Sequence, residues 1–438
     1  MDNNQQAFKP FTSYQKFIIA IIALIQFTVV LDFMVISPLA PLVMKSLNIN
    51  PTQFGFVVAA YAFSAGISGI LAAGIADNYD RKKLLMVFYT GFVVGTLFCA
   101  VAPTYELLLA ARIVTGLFGG VIGAIGMAII TDLFEINQRG RVFGFTQMGF
   151  SASQVLGIPI SLVLADRWGW NSPFYLIVLL AGIMGVIMMA RMKPVNAHLA
   201  LKKNDVNPLV HLWNTLKQKK YQTGYIATAL LPLGGFMLMP FGSAYSVNNL
   251  GVEASQLPII FTATGIATVV VFPILGRLSD KFSKILIFAI ASMWGIVMVI
   301  VHTNWGVIPL WLVILSNVLM FVGIMGRIVP STILITAIPQ MKDRGAFMAI
   351  NSSLQQMAGG VASIIAGYIV YQATPTSPLE NIDVVGYVVA TITAISVYVM
   401  YRVYNIVKPQ LAPPTRGPGK KPAGNPAEKK DEPVLMTE

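Results

Sequence analysis

Residues 73–85, AGIADNYDRKKLL, form a hydrophilic turn wedged between two long apolar runs, and the chain carries this turn twice. The second copy is residues 276–288, GRLSDKFSKILIF. Laid over each other, Asp77 falls on Asp280 and Arg81 on Lys284, a shift of 280 − 77 = 203 residues. A second pair agrees: Arg139 and Gly140 of TDLFEINQRGRVFGF recur as Arg344 and Gly345 of TAIPQMKDRGAFMAI, 344 − 139 = 205 residues later. A chain of 438 residues that repeats charged turns at nearly half its length is built from two similar halves.

Outside these turns the chain is greasy. Hydrophobic residues make up 56% and charged residues 11%, with a mean hydropathy of +0.71, whereas a soluble domain is about a quarter charged. The apolar residues come in runs of about 20, the length that crosses a bilayer. The single cysteine, Cys99, lies inside such a run, so an intrachain disulfide is excluded. The formal charge of +12 does not point to nucleic acid once the positions of the charges are considered.

Residues 1–15 are polar, with no cleavage site after them, so the first run, 16–38, is read as a spanning helix. Runs follow at 54–76, 84–102, 105–131, 142–165 and 172–192. The Lys-rich segment 193–221, with Pro194 and Pro208, reads as a connector that meets anionic lipid headgroups. Six more runs follow at 223–248, 256–276, 284–303, 307–337, 345–372 and 384–407. The expected domains are an N-terminal segment 1–15, a six-helix half 16–192, a connector 193–221, a second half 222–407 and a tail 408–438. The tail is rich in Pro, Gly and Lys and is expected to be disordered.

Twelve spans put both termini on one side. If that side is cytoplasmic, all of the 30 Lys and Arg except Lys45, Arg167, Arg112 and Arg327 fall on it, an asymmetry that fits the excess of positive charge in cytoplasmic loops. Lys45 and Arg167 lie on the other side; Arg112 and Arg327 lie within spans.

The first charged turn resembles the loop signature of the major facilitator superfamily, which reads Gly, any, Leu, Ala, Asp, Arg, any, Gly, Arg, Lys. Ala76, Asp77, Arg81 and Lys82 match it; Ala73, Ile75, Asn78 and Asp80 replace the family's Gly, Leu, Arg and Gly. The resemblance implies an all-α membrane protein with twelve transmembrane helices in two pseudo-symmetric halves, holding a small-molecule substrate between them. It also implies a cytoplasmic gate in which Asp77 and its repeat Asp280, with Arg81 and Lys82, latch the halves through basic residues such as Arg139. The alternative for Asp77 is a solvated carboxylate at a helix start.

A charge inside a span costs about 2.5–3.5 kcal/mol on insertion scales. Asp32 lies about 9 Å from the outer end of the first run and Arg112 about 10 Å into the fourth, so the two sit at one depth. LDFMVISPLAPLV around Asp32 and ARIVTGLFGG around Arg112 resemble the first- and fourth-helix patterns of drug:proton antiporters. The resemblance implies that Asp32 carries or senses a proton and Arg112 sets its affinity; otherwise they form a packing ion pair, or Asp32 reaches interfacial water. The fifth run reads SQVLGIPIS where such antiporters carry Gly, three residues, Gly-Pro, with Ser153 and Ile158 departing from the pattern. Direction of coupling stays open. Gly149, Gly157, Ser151, Ser153 and Ser161 in that run allow close helix approach.

Gln147 and Gln154 share a helical face, as do Asn351 and Gln355. They either bond neighbouring helices or line a cavity together with Tyr61, Phe236, Met237 and Arg327. There is no Gly-rich phosphate loop, and His198, His211 and His302 have no metal spacing, so neither an enzyme nor a cofactor is expected. The function expected is export of a small molecule from the bacterial inner membrane in exchange for protons, by a monomer with both termini cytoplasmic. A nutrient importer, by symport or facilitated diffusion, and a non-transporting membrane sensor are the alternatives.

Overall fold

The computed structural model describes residues 11–75, 79–196, 199, 208–340 and 343–411. Among these the chain is helical, and its one β feature is an isolated bridge between Tyr371 and Glu380. The first half comprises α1 (Ser13–Val35), α2 (Ala40–Leu47), α3 (Pro51–Ile75), α4 (Arg81–Val101), α5 (Tyr105–Leu133), α6 (Ile136–Ala152), α7 (Ile158–Trp168) and α8 (Ser172–Arg191). After α9 (Pro208–Leu216) come α10 (Lys219–Leu238), α11 (Gly242–Asn248), α12 (Leu257–Lys281), α13 (Lys284–Thr303), α14 (Leu310–Thr336), α15 (Arg344–Ile369) and α16 (Ile382–Leu411).

Local chemistry sets several boundaries. Thr12 caps α1 and forms a capping box with Gln15, while Asp80 caps α4 by accepting from the Lys83 amide at 3.0 Å. The first apolar run does not continue as one helix through Pro38: α1 ends at Val35 and α2 restarts with Pro41 in its first turn. Likewise the run 223–248 divides into α10 and α11. The run 142–165 is α6 and α7 joined by a π-helical turn, Ser153–Gly157, an insertion that re-aims the side chains after it. The connector contains a short helix, α9, in which Leu212 packs inward and Trp213 stays exposed.

Eleven helical stretches among the described residues are long and apolar enough to cross a membrane. Helix α15 is not among them, although it has 26 residues. Asn351, Ser352, Ser353, Gln355 and Gln356 dilute its apolar character.

Small residues let the helices approach closely, as expected where lipid removes the usual hydrophobic drive. A Cβ at Gly149 would clash with the Ala23 carbonyl of α1, and one at Gly157 would lie 2.7 Å from Leu31. Helix α3 packs along α5 within its own half and along α15 of the other.

The N-terminal end of α1 lies beside the α5–α6 turn, with Phe11 5.9 Å from Phe134. At the other end of the chain, Val403 and Val407 of α16 pack in one cluster with Leu212 of α9. We call this the terminal face. On the opposite, distal face the halves are clamped together. Ser243 donates to the Ser37 carbonyl at 2.9 Å, Thr52 donates to the Gly367 carbonyl at 2.7 Å, and Phe54 meets Phe241 at 6.3 Å.

Candidate functional site

Above the clamp the halves part around a cavity of about 750 Å³, whose lining reaches Ile335 and Thr336 at the terminal-face end of α14 and Met348 near the start of α15. Phe33 of α1 bridges its base, 5.0 Å from Tyr61 of α3 and 5.8 Å from Phe236 of α10. Tyr61, Gln154, Phe236, Arg327, Asn351 and Gln355 line it. Met237 does not. It is fully buried in the core, because adjacent helical residues point about 100° apart and Phe236 takes the cavity side. Gln147 falls in α6 and Asp280 in α12, with side chains outside the described set.

Asp32 and Arg112 meet. Arg112 Nη1 donates to Asp32 Oδ2 at 2.9 Å and to the Asp32 carbonyl at 3.2 Å, and both side chains are 0% exposed. Thr96 of α4 donates to Asp32 Oδ1 at 3.1 Å. The guanidinium carbon sits 4.6 Å from the centre of the Tyr61 ring, a cation–π contact strengthened by the absence of water. Among the described residues, Arg112 Nε and Nη2 have no hydrogen-bond partner. The pair is therefore enclosed within the first half, with Tyr61 between its guanidinium and the cavity. Such an arrangement holds a carboxylate away from water, with one aromatic ring between its guanidinium partner and the cavity.

The gate residues are spread more widely. Asp77 lies outside the described residues. Arg81 Nε pairs with Asp132 Oδ2 at 3.3 Å, joining the start of α4 to the end of α5. Lys82 donates to the carbonyls of Met189 and Met192, and Arg139 to those of Thr131 at 2.7 Å and Phe134 at 3.1 Å. Each of these contacts braces the terminal face of the first half.

Among the described residues that line the cavity, Arg327 is the only Lys, Arg, Asp or Glu, and it is 6% exposed. It donates to Thr393 Oγ1 at 3.3 Å and to Ser396 Oγ at 2.8 Å on α16, and lies over the Phe288 ring at 5.5 Å. Sequence reasoning missed Gln26 and Phe33, which also line the cavity. Their spacing of seven on α1 is a usable signal, since it puts them on one face. It also missed Thr96, which shares its apolar run with Tyr89 and Thr90 and is not singled out by any spacing.

Comparison with protein families matches the Major Facilitator Superfamily over residues 22–341 and 224–435. The chain is 24% identical over 386 residues to the uncharacterized MFS-type transporter YbcL of Bacillus subtilis (strain 168), covering 87% of this chain and 95% of YbcL. It is 27% identical over 150 residues to the multidrug resistance protein Stp of Mycobacterium tuberculosis (strain CDC 1551 / Oshkosh), covering 34% of this chain and 28% of Stp. Among solved structures, a bacterial homolog to the human lysosomal transporter Spinster, in an inward-facing and occupied conformation, superposes with a TM-score of 0.74 at 13% identity, covering 92% of this chain and 100% of that one. With helical architecture, a cavity between its halves and a family match spanning nearly its whole length, the chain belongs to the Major Facilitator Superfamily of transporters.

Proposed function

We infer that the protein exports a small molecule across the bacterial inner membrane by alternating access, in exchange for protons. The observation that carries this reading is the sealed Asp32–Arg112 pair, one tyrosine behind the wall of a cavity of about 750 Å³. The multidrug resistance name of one relative and the Lys and Arg bias toward the terminal face support it. In this reading α15 joins the eleven to make twelve spans, standing eleventh in chain order. Residues 16–192 and 222–407 are the two halves, 193–221 is the cytoplasmic connector, and both termini are cytoplasmic.

The cycle runs as follows. With the distal clamp closed, substrate enters from the cytoplasm. Rocking of the halves then opens the distal side and closes the terminal face through the Asp77 turn, Arg81, Lys82, Arg139 and the Asp280 turn. A proton taken up by Asp32 on the distal side weakens its hold on Arg112, and Tyr61 carries that change to the cavity wall. Loss of the proton to the cytoplasm restores the pair.

Counterflow in proteoliposomes, with and without a proton gradient, tests the exchange. Export predicts that an inward proton gradient drives solute out, whereas symport predicts accumulation along the gradient. Absence of flux for every solute that stabilises the protein would leave only a non-transporting role. The Ser153 and Ile158 departures, at the π-helical turn, keep symport as the second reading.

A further inference from the structure

Among the described residues the cavity lining carries one fixed charge, Arg327, and no described carboxylate pairs with it. Arg327 is 94% buried, being 6% exposed, and its two bonded nitrogens reach only the neutral hydroxyls of Thr393 and Ser396. Its Nε is buried with no hydrogen-bond partner among the described residues, and no described carboxylate forms an ion pair with it. In the first half the comparable buried cation, Arg112, is neutralised by Asp32 at 2.9 Å. A guanidinium held away from water with only neutral partners is costly and is retained where something negative visits it. The remaining wall is largely apolar, including Phe33, Phe236, Phe261 and Phe321, with amides from Gln26, Gln154 and Gln355. The size falls within the range of drug-sized ligand sites.

We propose that Arg327 binds the oxyanion of an amphipathic organic anion, whose apolar body lies against the phenylalanines of the cavity. This assigns a substrate class to the transport site and rests on the reading that the cavity is that site. The planar guanidinium suits a carboxylate, sulfonate or phosphate group, which would bring the negative charge that its neutral partners Thr393 and Ser396 do not supply. Organic cations, by the same charge, are disfavoured. An anionic lipid headgroup shares this chemistry and is the other source of the oxyanion.

Three probes with one apolar body test the assignment on the full chain in phosphatidylcholine nanodiscs: radiolabelled 4-phenylbutyrate, 4-phenylbutanol and 4-phenylbutylammonium. A charge-assisted hydrogen bond predicts that the carboxylate binds roughly tenfold or more tighter than the alcohol; the ammonium binds most weakly. Arg327→Gln removes the preference for the carboxylate while the alcohol's affinity stays, and Arg327→Lys retains part of it. Equal binding of carboxylate and alcohol, a preference for the ammonium, or binding of none of the three by folded wild-type protein overturns the proposal without recourse to any variant. Adding phosphatidylglycerol separates the sources: competition with phenylbutyrate identifies a lipid headgroup as a visitor, and its absence leaves a soluble anion. Arg327-dependent binding of phenylbutyrate with no flux under any gradient would reject the transport reading and keep the anion site. Gradient-driven flux of cations alone would do the reverse.

Discussion

Breaking the Asp32–Arg112 pair from one side should be far worse than removing it altogether. Arg112→Met leaves a carboxylate at 0% exposure with Thr96 as its remaining side-chain donor, and Asp32→Leu leaves a guanidinium equally enclosed. Each single change is expected to cost roughly 3–5 kcal/mol, the usual penalty for stranding a buried charge. Arg112→Met also forfeits the Tyr61 contact, worth about 0.5–2 kcal/mol. Combining Asp32→Leu with Arg112→Met replaces the pair by apolar volume. Thr96 can turn its one hydroxyl proton to the Phe92 carbonyl, 3.0 Å away, so its hydroxyl is not orphaned. The double variant should therefore lie well above either single in stability, because the desolvation cost disappears with the charges. Cys99 supplies the assay. It is the chain's one cysteine, it is buried in α4, and a thiol-reactive fluorophore labels it only as the first half unfolds. Labelling during a thermal ramp should begin earliest in the single variants. A double variant as unstable as the sum of its singles, or an Arg112→Met protein labelled at the wild-type temperature, would refute the claim that the two charges hold each other.

Other sites give independent tests. Gly55 faces the Ser363 carbonyl, and an added Cβ would lie 2.7 Å from it; Gly55→Leu should pry open the distal clamp, lengthening spin-label distances between the distal ends of α3 and α15, whereas unchanged distances would contradict the clamp. Gly149→Leu should block assembly of α1 against α6, while Gly144→Ala, with nothing within 4 Å of its added Cβ, should be neutral within about 0.5 kcal/mol; thermal ramps of the two variants compare them. Tyr221 donates to Asp343 Oδ2 at 2.8 Å and accepts from the Gln340 amide at 3.2 Å, so Tyr221→Phe should cost about 1–3 kcal/mol; a change below about 0.5 kcal/mol in the same assay would show that water replaces the hydroxyl at no cost.

The architecture was legible because a bilayer imposes long apolar runs and a charge bias between loops, and a duplicated charged turn betrayed the two halves. Depth along two antiparallel helices was enough to bring Asp32 and Arg112 to one level. Rotation was harder to read. Helices such as α3 and α10 are apolar all round, so no polar face announces which side turns inward, and Phe236 and Met237 were indistinguishable until one of them had to point at the core. Local breaks were also hidden. The π-helical turn at Ser153–Gly157 and the restart at α2 arise inside runs long enough to be read as single spanning helices. At α15 polar residues lower the hydropathy of a run that is still long enough to span, and its amides and hydroxyls serve the interior: Asn351 accepts from Thr228 at 3.0 Å, and Gln355 lines the cavity. The family resemblance places Arg81 in a latch between halves, but no local spacing points to its partner Asp132 on the same half, 51 residues away on a different helix.

The most direct test of the central claim is the flux of protons and solute through Asp32→Asn protein in proteoliposomes containing pyranine. The account predicts that solute export by wild-type protein carries protons inward and quenches the dye, whereas folded Asp32→Asn still exchanges labelled for unlabelled solute but moves no protons with it. Proton movement that stays coupled to solute in Asp32→Asn would contradict it.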